Sequence, residues 1–168
     1  MMRLTTAVLG AAMVMWASAA AAQKPDFSGK WTVDQEKTQA ANPGQPGGGG
    51  PPGGAMGGGR GMGAGPMTIK QDAGTLTTER ETQNGVMATV YKLDGSETVQ
   101  TTQRGESRSK ANWDGSALVI VTTRPGMDGG TMTTKATYAK EGEWLVVTTV
   151  MQTPNGEMTR KTYYKKGA

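Results

Sequence analysis

Glu79 and Glu81 stand two residues apart, so they project from one face of an extended chain, with Arg80 on the other. Paired carboxylates at such a spacing are the raw material of a hydrolase, although alternating charge is equally the pattern of a solvated strand. The second candidate set is soft. Met56, Met62 and Met67, joined by Met127 and Met132, lie in or beside Gly-rich stretches, and thioethers suit Cu(I) or Ag(I). The bland counterpart is that Met merely accompanies Gly in a low-complexity run. Most other chemistry is excluded outright, because the 168 residues contain no His and no Cys. That removes the imidazole base, the thiolate nucleophile, His/Cys zinc sites and the usual haem ligands. With no catalytic motif present, the chain is read as a non-enzyme without a cofactor.

The first 22 residues have the layout of a secretory leader: Arg3, an apolar stretch from Ala7 to Trp16, and a small-residue cleavage site, Ala20-Ala21-Ala22, before Gln23. Removal of that leader takes away one of 18 basic residues, leaving a net charge of +3 against 14 acids over 146 residues, one domain's worth of chain. The expected location is secreted or periplasmic, with no stable membrane insertion, since nothing downstream is apolar enough to span a bilayer. Lys161, Lys165 and Lys166 form the one basic cluster. It reads as a solvated end, because nucleic-acid binding calls for a basic stripe with stacking aromatics.

The elements that must position any site are strands. Gly74, Gly85, Gly95, Gly105 and Gly115 recur about every ten residues, several in Asn-Gly or Asp-Gly dipeptides that suit tight hairpins. Between them lie runs rich in Thr, Val, Tyr and Trp. These predict nine strands near 67–72, 75–83, 86–93, 96–104, 107–113, 117–124, 131–139, 143–152 and 157–165. A tenth precedes them within 26–36, with Phe27, Gly29, Trp31 and Val33 on one face. Residues 43–66 hold 13 Gly and five Pro, too little apolar area to offset ordering, so a disordered loop is expected there. Residues 23–42 and 67–168 must then build one domain, an all-β antiparallel meander with no helix after the leader. Leu118–Val121 and Trp144–Val147 are apolar on both faces, as if an outer Val/Leu patch were covered by a second copy of the chain or by the Gly-rich loop.

Short motifs at both ends and in the middle carry a resemblance. Phe27-Ser-Gly-Lys-Trp31 resembles the F-x-G-x-W opening of the calycin superfamily, which includes the lipocalins and the intracellular fatty-acid-binding proteins. Met67–Lys70 with Gly74–Thr77, and Lys110–Gly115 with Leu118-Val119, are similar to early and middle elements of the ten-stranded branch. Arg160-Lys-Thr-Tyr163 and Lys165 resemble its closing strand. The resemblance implies a calycin-like β-barrel around a cavity for a small hydrophobic or amphipathic ligand, in which a basic residue and a Tyr of the last strand hold a carboxylate. Two pairs alternate correctly for that role, Arg160 with Tyr164 and Lys161 with Tyr163. Lys135 matches the second basic position, and Trp113 joins the candidate lining. A lid in this family follows the first strand, where this chain has its Gly/Pro-rich stretch. A structural or interaction role with no small ligand is the remaining alternative.

Overall fold

Alternating strand sequences punctuated by glycine turns fold into a single ten-stranded antiparallel sheet. The computed structural model describes residues 24–43, 66–82, 85–102, 105–126, 129–153 and 156–167. In chain order the elements are β1 (Gly29–Val33), α1 (Gln35–Ala40), β2 (Met67–Gln71), β3 (Thr75–Thr82), β4 (Gly85–Lys92) and β5 (Glu97–Thr102). There follow β6 (Gly105–Asp114), β7 (Ala117–Pro125), β8 (Thr131–Glu141), β9 (Trp144–Thr153) and β10 (Gly156–Lys166). The order across the sheet is β4-β3-β2-β1-β10-β9-β8-β7-β6-β5, with β1 joining the first hairpins to the last strand. The two sheet ends approach one another: Gln100 Nε2 donates to the Ala88 carbonyl at 2.8 Å, and the Lys92 amide to Thr98 Oγ1 at 3.3 Å. Side chains thus bridge a seam that no ladder closes, and the result is a nearly closed barrel.

One end of the barrel is sealed. Three turns there are tight because Gly95, Gly115 or Gly142 enters them at positive φ: in Asp114-Gly115-Ser116-Ala117, only Gly115, at +59°, takes it. That is the pattern of a II′ turn, whose twist matches the flanking strands. Phe27 plugs this end. Its ring is wholly buried, stacks on Trp113 at 5.9 Å and meets Tyr138 at 6.3 Å. Its amide donates to Gln71 Oε1, and its carbonyl accepts the Trp31 indole N–H at 2.8 Å. Ile69, Leu76, Leu118, Ile120 and Leu145 fill the same end.

The expected first strand is cut short. It ends at Val33, and Asp34 caps a helix by accepting the Lys37 amide at 3.1 Å. This six-residue helix, in place of the expected extended chain, does a strand's work for β10. Beyond the last β1 rung, Val33 opposite Tyr164, the Tyr163 amide donates to Thr38 Oγ1 and the Lys161 amide to Asn42 Oδ1, at 3.0 and 2.9 Å. The backbone groups of β10 at this position are satisfied by side chains, as buried or half-buried polar groups must be. Lys37 of α1 also lies 3.6 Å from the Trp144 ring centroid and 5.1 Å from that of Tyr163. Cover over the outer face of β9 therefore comes from within the chain. On β7, Leu118 and Ile120 point inward while Val121 stays exposed.

The Gly/Pro-rich stretch from 44 to 65 and the leader lie outside the described residues, as do Met56, Met62 and Met127. Among the described residues no helix is long and apolar enough to cross a membrane.

Candidate functional site

Direct cross-strand partners share a face of a sheet, so the register shows what the barrel encloses. Thr162 pairs with Val147, Val147 with Tyr138, Tyr138 with Leu118, and Leu118 with Trp113. This row belongs to the sealed, apolar end. One step toward the open end runs Arg160–Thr149–Ala136–Ile120–Ala111, and the next is Met158–Met151–Thr134–Thr122–Ser109. The facing wall carries Ile69–Thr78–Thr89 and then Met67–Arg80–Met87. Arg124, opposite Met132, completes the inward set. Within these rows Thr122, Thr134, Ala136 and Thr149 are only half-buried, so the open half of the interior remains accessible. Hydroxyls line part of it, with Ser109 Oγ and Thr122 Oγ1 2.9 Å apart.

The interior is cationic. Arg80, Arg124 and Arg160 all take inward positions, whereas Glu79, Glu81, Glu97, Glu106 and Glu157 take outward ones. Glu79 forms an ion pair with Lys70 at 2.6 Å on the outer face, so the carboxylate spacing noted in the sequence is that of a solvated strand. Arg80 is the best-built of the three cations. Its guanidinium hydrogen-bonds the phenols of Tyr164 on β10 and Tyr138 on β8, and its Nη2 donates to Met67 Sδ at 3.2 Å. Burial works against the charge of Arg80, but the surrounding phenols of Tyr164, Tyr138 and Tyr91 outweigh it and hold its pKa above the ordinary guanidinium value. Burial pushes both Tyr138 and Tyr91 upward; for Tyr91, Arg80 and hydrogen bonds with Thr78 and Thr89 act in the opposite direction. Arg124 repeats the theme at the mouth, with its Nη2 3.2 Å from Met132 Sδ.

The two raised tyrosines make a pH prediction. Their neutral forms are favoured in the fold, while an unfolded Tyr ionises near pH 10. Above that pH the folded protein binds more protons than the unfolded one, so stability falls as pH rises. Urea melts between pH 8 and 11 should show this decline beginning near pH 10. Absorbance at 295 nm should show Tyr91 and Tyr138 ionising late. A stability curve flat through pH 11 would refute the assignment.

Placement separates the candidate pairs. Tyr164 and Arg160 face the interior, Tyr164 being buried against Arg80 and Arg160 half-buried. Lys161 and Tyr163 face outward beneath α1. Lys161 Nζ lies 2.8 Å from Glu141 Oε1, and the Tyr163 hydroxyl donates to Glu141 Oε2 at 3.3 Å. These hydrogen bonds, that from Lys161 first, lower the Glu141 pKa, and the same contact raises that of Lys161. Lys135 is outward and exposed. Trp113 lines the sealed end, half-buried on Phe27, with Lys24 5.5 Å from its ring centroid. Met67 is inward and buried, and its sulfur already accepts a hydrogen bond from a cation. Arg80 escaped the sequence reading because it sits between two glutamates in a run that looks solvated. The signal available was parity: Leu76, Thr78 and Arg80 share one face of β3.

The sequence matches no family model and no curated protein. Among solved structures it is similar to zebrafish ileal bile acid-binding protein complexed with cholic acid, at a TM-score of 0.53 and 17% identity, over 84% of this chain and 98% of that one. A secretory abundant heat soluble protein from Ramazzottius varieornatus gives a TM-score of 0.55 and 19% identity, over 84% and 95%. Likeness at this identity shows the fold alone, an antiparallel β-barrel.

Proposed function

We propose that this barrel binds a small amphipathic anion, with the acidic group on Arg80 between Tyr138 and Tyr164 and the apolar part against inward side chains such as Met67 and Met151. The observation that carries the reading is Arg80 itself. A guanidinium drawn into a barrel and held by phenols from two other strands is preorganised for a carboxylate or sulfonate, which it can take through two parallel hydrogen bonds. The setting is partly desolvated, so such a pair is stronger than in water. The sealed end is already packed with Phe27, Trp31 and their neighbours, which leaves the open half for the ligand. The similar barrel that holds cholic acid supports the reading at the level of fold.

The test is a fluorescence titration with 8-anilinonaphthalene-1-sulfonate, followed by displacement with cholate or oleate and with the neutral alcohols of the same skeletons. The acids are expected to displace the probe at least about tenfold more strongly than the alcohols, the size of one charge-assisted hydrogen bond. Absence of probe binding, or equal displacement by acid and alcohol, would overturn the reading.

A further inference from the structure

All five methionines among the described residues, Met67, Met87, Met132, Met151 and Met158, occupy inward positions of the barrel. They are not equivalent. Met67 is 2% exposed, and its sulfur, like that of Met132, accepts a guanidinium hydrogen bond at 3.2 Å. A lone pair engaged in this way is a poorer nucleophile. Met87 and Met158 are 50% and 46% exposed at the open end. Met87 also stands directly opposite Arg80 on the neighbouring strand, a separation of about 5 Å between Cβ atoms.

We infer that Met87 is an oxidation site through which a hydroperoxide weakens anion binding at Arg80. The inference rests on the anion-binding reading above. In the step, the Met87 sulfur lone pair attacks the distal peroxide oxygen and the O–O bond breaks. Sulfur loses two electrons, and hydrogen peroxide leaves as one water after proton transfer to the departing oxygen. The product sulfoxide carries a strong acceptor oxygen where a weakly polar thioether stood. That oxygen is within reach of the Arg80 fork and competes with the ligand's acid group for the same N–H donors. The exposed position of Met87 lets the polar product form without unpacking the sealed end, and methionine sulfoxide reductases would reverse it.

The experiment treats the full-length protein with hydrogen peroxide, maps sulfoxides by peptide mass spectrometry over time, and titrates 8-anilinonaphthalene-1-sulfonate before and after. For each variant the ratio of the two affinities is read, whatever its starting value. Met87 and Met158 are expected to oxidise well before Met67. The wild-type ratio should be about tenfold, that of Met87→Leu below about twofold, and reductase treatment should restore the wild type. Met87→Gln, which places a polar acceptor at the site without peroxide, should bind the probe more weakly than Met87→Leu. Oxidation of Met67 as fast as Met87, or an equal loss in Met87→Leu, would overturn the inference while leaving the anion site standing. Failure of the untreated protein to bind any anion would instead remove the reading on which it rests.

Discussion

Replacement of Arg80 by methionine is expected to weaken binding of the anionic probe by about a hundredfold while leaving the protein folded. The affinity loss follows from removing the charged half of a partly desolvated pair, which costs several kcal/mol in comparable settings. The retained fold follows from the surroundings. Met67 and Met87 flank position 80 on both neighbouring strands, so a thioether there continues an existing apolar row. Burial opposes the guanidinium charge, and replacing a buried ionic group by an apolar one of similar volume is often neutral or stabilising. Arg80→Lys should fall between the two, since an ammonium keeps the charge but not the two-pronged geometry. The measurements are the probe titration and a urea melt on the same samples. A purely structural Arg80 predicts the reverse pattern: a lower unfolding midpoint with binding intact. That result would sink the assignment.

Phe27→Ala should be the most destabilising single truncation in the chain, at about 3–5 kcal/mol. The ring is fully buried, stacked on Trp113 and tilted against Tyr138, and it closes the end of the barrel that β1 enters. Among the described residues, the core neighbours Trp31, Leu118 and Leu145 are themselves pinned in strands and cannot move in to fill the space. Against a total of about 5–15 kcal/mol for a domain of this kind, the melting temperature should drop by about 10–15 °C. Trp113 should lose its stacking partner and shift its emission to the red. A loss under about 1 kcal/mol would mean that Phe27 does not plug the barrel.

The strand positions were readable because they rest on local rules. Turn glycines, β-branched runs and two-residue alternation locate all nine strands after the Gly/Pro-rich stretch to within two residues of their observed ends. These signals need no knowledge of distant contacts. Helix α1 was not readable in the same way. Six residues cannot display a 3.6-residue apolar period, and the one usable sign was Asp34 ahead of Gln-Glu-Lys, a capping residue before good helix formers. What stabilises that helix is the edge of β10, some 120 residues away, where Thr38 and Asn42 meet the backbone of Tyr163 and Lys161.

The site lies further from what a sequence can display. Alternation along β10 determines that Arg160 and Tyr164 share one face and Lys161 and Tyr163 the other. It does not say which face is inside. That choice belongs to the closed sheet, because Tyr164 is turned inward by its rungs to Val33 and Leu145 while α1 covers Tyr163 from without. The cation that meets Tyr164 comes from β3, which is separated from β10 in the sheet by β2 and β1. By itself the sequence determined the composition limits, the hairpins and the two faces of each strand, since these depend on neighbours along the chain. Only the tertiary structure decided which face is enclosed and that Arg80, Tyr138 and Tyr164 converge, because curvature of the sheet brings together side chains that no local spacing connects.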